Sequence, residues 1–302
     1  MNINKRLIPL LSILFILLAV PINSSCSHKN ESDVKNVVKT ELDQLKNLDS
    51  ETTQKYIPYT ELFPDATENT DLSDEITETF SLFFRKFDYK ISDVSISAEN
   101  NSATVSVKLT TISSQTLARD FKTELLQTQI TEAAQAQTGS TKDSSRSLEA
   151  HYLILNHLLN TNEYDTAETD CSIQLVNTGN NKKEKWKIQR TNSLEDDLVG
   201  GLIADLADPD ILSPEDTLTV YLDTLEKLDL KEMSSYLGVV NIMNTSDSSK
   251  NSIAAALAEQ IHKNFNYVIK SSSENGYNAT VTTEITTFDS DSILADYQEK
   301  LD

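Results

Sequence analysis

Residues 103–125 read ATVSVKLTTISSQTLARDFKTEL, and residues 279–301 read ATVTTEITTFDSDSILADYQEKL. Eight of the 23 aligned pairs are identical, including Ala103/Ala279, Val105/Val281, Thr110/Thr286, Asp120/Asp296 and Leu125/Leu301. Others exchange like for like, as in Leu109/Ile285, Leu117/Ile293 and Phe121/Tyr297. Two earlier anchors keep the same order: FRKFDYKI with HKNFNYVI, and LDQLKNLD from Leu42 with LDTLEKLD from Leu222. The offset drifts from 180 through 178 to 176, as two small loop deletions in the second copy would produce. A period of this size is far too long for a solenoid, so the repeated unit is a domain. The chain is expected to carry one domain twice.

The periodicity inside the first copy predicts its elements. Ser32-Asp33 is placed to cap a helix running to Leu48, with Val34, Val38, Leu42 and Leu45 as one apolar stripe. A short helical piece around Thr52–Tyr56 precedes a loop holding Pro58 and Pro64, and a further helix is expected over Leu72–Phe87. The aromatic face of that helix (Phe80, Phe83, Phe84, Phe87) reads as core packing rather than a ligand site. Tyr89, Ile91, Val94 and Ile96 mark a strand with an irregularity after Ser92. Ala103, Val105, Val107 and Leu109 then alternate with polar residues, giving one buried and one wet face of an antiparallel sheet. Leu117, Phe121 and Leu125 begin a helix, a Gly/Ser/Thr-rich break spans 138–147, and Leu148, Tyr152, Leu155 and Leu159 mark another helix. Cys171, Ile173 and Leu175 form a strand, and a turn leads to a last one holding Trp186 and Ile188. Between the copies, SLEDDLVGGLIADLAD reads as one helix capped by Ser193 with Asp196. Helices followed by a small antiparallel sheet argue for an α+β unit.

The first residues give an address. Lys5 and Arg6 precede an apolar run from Leu7 to Val20, too short to span ~30 Å of hydrocarbon and suited to a secretory signal. Ser24 and Ser25 lead to Cys26, and the polar run SHKNESD after it suits a tether. This order resembles the bacterial lipobox, in which the cysteine thiol is acylated and becomes the mature N-terminus. The expected organisation is a signal peptide at 1–25, a lipid-anchored tether at 26–31 and a first domain at 32–200 with a helical insertion at 115–160. A linker at 201–212 and a second domain at 213–302 complete it. That second copy ends before any counterpart of residues 126–190, so it reads as truncated.

Composition excludes several classes. The formal charge is −21, or −23 without Lys5 and Arg6, and such a surface repels nucleic-acid phosphates. It also repels anionic lipid heads, so an acyl chain rather than the surface would hold the protein at a membrane. Cys26 and Cys171 are the only cysteines, and an acylated Cys26 leaves Cys171 without a partner. Cys171 reads as a small buried core residue. No phosphate loop, dinucleotide fingerprint, HExxH, CxxC or G-x-S-x-G occurs. His28 lies in the tether, His151 and His157 face different sides of a helix, and His262 ends a helix where a cation suits the carbonyl end. These positions predict neither a metal site nor a cofactor. Asp120 and Asp296 recur at helix starts and read as structural.

The leading amphipathic helix, the N-x-A-T-V strand start and the closing Trp186-Lys187-Ile188 strand resemble bacterial lipoproteins of the nuclear-transport-factor-2-like (cystatin-like) superfamily. That resemblance implies two related domains, each with helices packed on a curved antiparallel sheet wrapped as a cone. It carries over no catalytic residue. The function it implies is a lipid-anchored extracytoplasmic module that binds a peptide, a cell-envelope component or another protein. The alternative is a hydrolase or isomerase with a carboxylate in the cone pocket. A carboxylate of raised pKa inside a cavity would favour the enzyme, and a pocket lined by phenylalanines the binding module.

Overall fold

A computed structural model describes residues 24–57, 59–64, 66–67, 73–97, 99, 101–137, 146–179, 185–238, 248–276, 278–287, 289 and 291. Helices α1 (Ser24–Lys46), α2 (Ser50–Tyr56) and α3 (Ser73–Phe84) precede strands β1 (Asp88–Ser97) and β2 (Ser102–Ile112). Helices α4 (Ser114–Gln137) and α5 (Leu148–Thr161) lead to β3 (Thr166–Asn177) and β4 (Trp186–Ile188). After α6 (Asn192–Leu198) and α7 (Leu202–Ala207) come α8 (Pro214–Lys227), α9 (Leu230–Tyr236), α10 (Ser248–Asn264), β5 (Asn266–Asn275) and β6 (Asn278–Thr286). The chain is α+β. Strands β1 to β4 form one antiparallel sheet in sequence order, and β5 pairs with β6 in a separate antiparallel sheet.

The chain divides into two compact units built from separated stretches. One takes residues up to 42 with 91–107 and 172–189; the other takes 43–90, 108–171 and everything from 190. The first unit buries Val34, Val38 and Leu42 of α1, Ala103, Val105 and Val107 of β2, and Ile173 and Leu175 of β3. The alternation in β2 is what puts its three residues on one face. On the other face the Thr104 hydroxyl donates to Gln174 Oε1 at 2.9 Å.

In the second unit α4 is the meeting point, lying against α5, α7, α8 and α9. Its C-terminal half brings Ile130 and Ala134 into one apolar cluster with Leu222, Leu225, Leu228, Met233 and Phe265. Arg119 of α4 pairs with Asp216 at 2.8 Å, and Gln135 Nε2 donates to Glu232 at 3.1 Å. The stretch 115–160, expected as an insertion, thus supplies a helix whose apolar residues serve helices on more than one side. The α3 aromatics Phe80, Phe83 and Phe84, with Phe87 just after the helix, are buried, as core residues would be.

Positions aligned between the copies make matching contacts. Tyr89 donates its hydroxyl to Asp43 at 2.6 Å, and Tyr267 donates to Asp223. Asp49 accepts from the Thr52 amide at 2.9 Å at the start of α2, and Asp229 from the Glu232 amide at 2.7 Å at the start of α9. Leu48 and Leu228 differ: Leu48 has φ +61°, whereas Leu228 has φ −60° and is buried. The second hairpin is also less covered. Ile285 is 50 % exposed, while its counterpart Leu109 is fully buried.

Two expectations are corrected. Ser32-Asp33 is not a cap, because α1 already begins at Ser24 and SHKNESD holds no glycine or proline to stop it. The run 193–208 is not one helix. Gly200 and Gly201, at φ +67° and +90°, break it into α6 and α7, and Thr191 rather than Ser193 caps α6 through the Leu194 amide at 3.1 Å. The predicted signal segment lies outside the described residues apart from its last two, Ser24 and Ser25, which open α1.

Leu48 supports a first prediction. Asp49 N–H bonds Gln44 O at 2.9 Å and Leu48 N–H bonds Leu45 O at 3.0 Å, the pattern that closes a helix through a left-handed residue. A partly exposed leucine there carries backbone strain that glycine avoids, so Leu48→Gly should stabilise by about 0.5–1 kcal/mol net of glycine's extra chain entropy. Urea denaturation checks it, and a lower midpoint contradicts it.

Candidate functional site

The loop around Phe63 is pinned to the start of α5. Thr67 N–H bonds Arg146 O at 2.9 Å and Leu148 N–H bonds Thr67 O at 2.9 Å, while the Tyr152 hydroxyl donates to Tyr59 O at 2.8 Å. Ser147 caps α5 by accepting from the Ala150 amide at 3.1 Å. On α4, Phe121, Leu125 and Gln129 recur at helical spacing and share a side with Lys122. With Ile203, Leu206 and Ala207 of α7, these segments border a partly open cavity of about 450 Å³. A smaller space of about 280 Å³ shares its Lys122, Leu125 and Gln129 wall.

The floor is aromatic. The Phe63 ring stacks on Phe121 at 5.1 Å and on His151 at 5.0 Å, and meets Tyr152 edge-on at 5.3 Å. These offset and edge contacts are the arrangements that aromatic quadrupoles favour, so the floor is fixed rather than adaptable. His151 Nδ1 is shielded from water and has no hydrogen-bond partner among the described residues. Burial, and then the charge of Lys122, hold the imidazole pKa below its usual value, so the ring is neutral at pH 7. Lys122 and Arg146 also line the space, and the described lining contains no carboxylate. In a chain with 47 acidic and 26 basic residues that sign is opposite to the average surface.

Other clusters satisfy themselves. Arg190 Nη2 reaches both Glu61 oxygens at 2.9 and 3.0 Å, and Arg190 Nε donates to the buried Glu195, so this network ties a loop to α6. Glu124 and Asp197 have carboxyl pKa values raised, burial being the largest cause in each, and neither lines the cavity.

The residues singled out in the sequence scatter. Cys26 lies near the start of α1 with its side chain outside the described residues, as is that of His28. His157 is exposed on α5 away from His151, and His262 places a ring nitrogen 2.9 Å from Leu228 O. No cluster of potential metal ligands occurs among the described residues. Asp120 accepts from the Tyr164 hydroxyl at 2.9 Å; Asp296 lies outside the described residues. The sequence reading missed Phe63, Lys122 and Arg146. The one available signal was a phenylalanine followed by proline in a polar loop.

Cys171 is buried, and burial, followed by the charge of Asp197, pushes its thiol up to about 12. A protonated thiol is a poor nucleophile. Cys171 is therefore expected to resist iodoacetamide at pH 8 in the folded protein and to react on unfolding. Rapid alkylation of the native chain at Cys171, read by peptide mass mapping, contradicts this.

No family model matches the chain, and no curated protein or solved structure matches it. No helix among the described residues is long and apolar enough to cross a membrane.

Proposed function

We propose that this is a lipid-anchored, extracytoplasmic, non-enzymatic binding module of the cell envelope, built from a duplicated α+β unit akin to the nuclear-transport-factor-2-like lipoproteins. The observation that carries the binding reading is the aromatic-floored cavity with Lys122, Arg146 and His151 in its wall and no carboxylate in the described lining. Apolar concave sites with a few convergent polar groups are the usual form of small-ligand pockets. A hydrolase or isomerase working through a cavity carboxylate would need an acid in that wall, and none is among its described residues. Duplication is supported by the paired Tyr89–Asp43 and Tyr267–Asp223 bonds and by the aligned caps Asp49 and Asp229. The anchor reading is supported by Lys5-Arg6, the apolar run and Cys26.

Native mass spectrometry of protein purified in mild detergent tests the binding reading. Wild type is expected to carry a small molecule that Leu125→Trp, which fills the cavity, has lost; equal loads on both would refute it. Cys26→Ala is expected to move the protein from the membrane fraction to the soluble one. A variant that stays with membranes, beside a wild type without acyl mass, removes the anchor.

A further inference from the structure

We propose that the outer edge of β6 is a homodimer interface, pairing antiparallel with β6 of a second copy to give a four-stranded sheet in the order β5–β6–β6–β5.

The duplication shows what this edge lacks. β6 aligns with β2, and β2 lies inside its sheet with β1 on one side and β3 on the other. β6 has β5 on one side and no strand on the other among the described residues. Burial records the difference. Ala103, Val105 and Leu109 of β2 are buried, whereas Ala279 and Ile285 of β6 are exposed and Val281 is half-buried. Ile285 pairs with Tyr267, whose hydroxyl reaches Asp223 of α8, so these residues sit on the side of the hairpin that faces α8. An open edge presents free N–H and C=O groups and templates another strand unless something blunts it.

Two observations select a second copy as that strand. The first is self-complementarity. Full overlap of the nine residues Asn278–Thr286 about a twofold axis puts Thr282 opposite the partner's Thr282. Ile285 then meets the partner's Ala279, Val281 meets the near-isosteric Thr283, and Glu284 meets Thr280. Large residues face small ones, and no like charges stand opposite each other. This register also keeps the apolar sides of both hairpins on one face of the joined sheet.

The second observation is charge. In a chain of formal charge −21 most surfaces repel their own copies. β6 carries one charged residue, Glu284, and Lys270 of β5 neutralises it at 2.6 Å. The matching position in β2 is Lys108, which pairs instead with Glu168 of β3 at 3.1 Å. Copy one thus directs its charge to a third strand, and copy two satisfies its own within the hairpin. That leaves a neutral edge on which a like strand meets no repulsion. The assembly closes at two, because Lys270 is the extra residue of a bulge in β5 and a bulged, lysine-bearing strand is a poor template.

Sedimentation velocity of the full mature chain carrying Cys26→Ala, so that no acyl group joins two molecules, tests the proposal. A monomer–dimer equilibrium is expected over a concentration series reaching the high micromolar range. Thr282→Glu and Thr282→Lys should each weaken the dimer about fivefold, the factor that about 1 kcal/mol represents. An equimolar mixture of the two should dimerise at least as tightly as the parent, a recovery that misfolded variants would not show. Thr282→Cys should crosslink under mild oxidation far faster than Thr280→Cys, because position 282 opposes itself and position 280 opposes Glu284. A monomer at every concentration overturns the proposal and leaves the edge to a strand of another protein. A dimer indifferent to charge at position 282, or equal crosslinking of the two cysteine variants, places the interface elsewhere and overturns it as well.

Discussion

Phe121→Ala is expected to cost about 3–5 kcal/mol of folding stability, the usual range for removing a buried phenylalanine ring. The side chain is 2 % exposed and contacts Phe63 and His151 with ring centroids 5.1 and 5.6 Å away. Truncation removes its transfer energy and leaves an unfilled space next to an existing cavity, so the neighbours have little reason to collapse inward. Single-domain proteins hold roughly 5–15 kcal/mol in total, which makes this loss large. Phe121→Leu keeps most of the volume and should cost clearly less. Urea denaturation followed by circular dichroism measures both, and a Phe121→Ala midpoint within error of wild type would show that the floor does not support the second unit.

Gly200→Ala is expected to cost about 2–4 kcal/mol, from two separable causes. The residue has φ +67°, a conformation in which a Cβ carries about 1–2 kcal/mol of strain. That Cβ would also stand 2.2 Å from Thr111 Oγ1 and 3.2 Å from Thr111 Cβ. Thr111 is buried and β-branched, so it has little freedom to swing away. The turn cannot simply shift either, because Ser114 Oγ donates to Gly200 O at 2.7 Å. Thr111→Ala removes the closer contact, so Thr111→Ala/Gly200→Ala should cost less than the sum of its single changes while keeping the backbone part. A double-mutant cycle reads this directly. Additive single effects would mean that Thr111 and Gly200 do not oppose each other.

Where one short-range pattern dominated, the sequence was legible. The alternation in Ala103–Leu109 and the apolar stripes of α3 and α5 need only neighbours a few residues away, and these elements lie where expected. Boundaries set by competition were not. The start of α1 depended on whether a capping pair would outweigh a run with nothing to break the helix, and the run prevailed. The split of α6 from α7 is marked by Gly200-Gly201, but the apolar periodicity runs on across it and masks the break. The role of α4 was hidden for another reason. Its low amphipathicity reads as an undistinguished helix, yet that is what a helix packed against neighbours on several sides requires. The cavity lay furthest from view. It joins Phe63, Phe121, His151 and Leu206, which no local pattern connects, and its sign runs against the composition of the whole chain. Helical spacing separates His151 from His157, but it carries no information about the cavity that His151 lines.

That the cavity floored by Phe63 and Phe121 is where this protein binds is tested most directly by methyl NMR. Leucine, isoleucine and valine methyls would be observed while the protein is titrated in turn with decanoate and 1-decanol. The account predicts that Leu62, Leu125, Ile203 and Leu206 shift, with Val268 and Ile285 on the exposed second hairpin unmoved. Shifts gathered on Val268 and Ile285, with the cavity methyls unchanged, would contradict it.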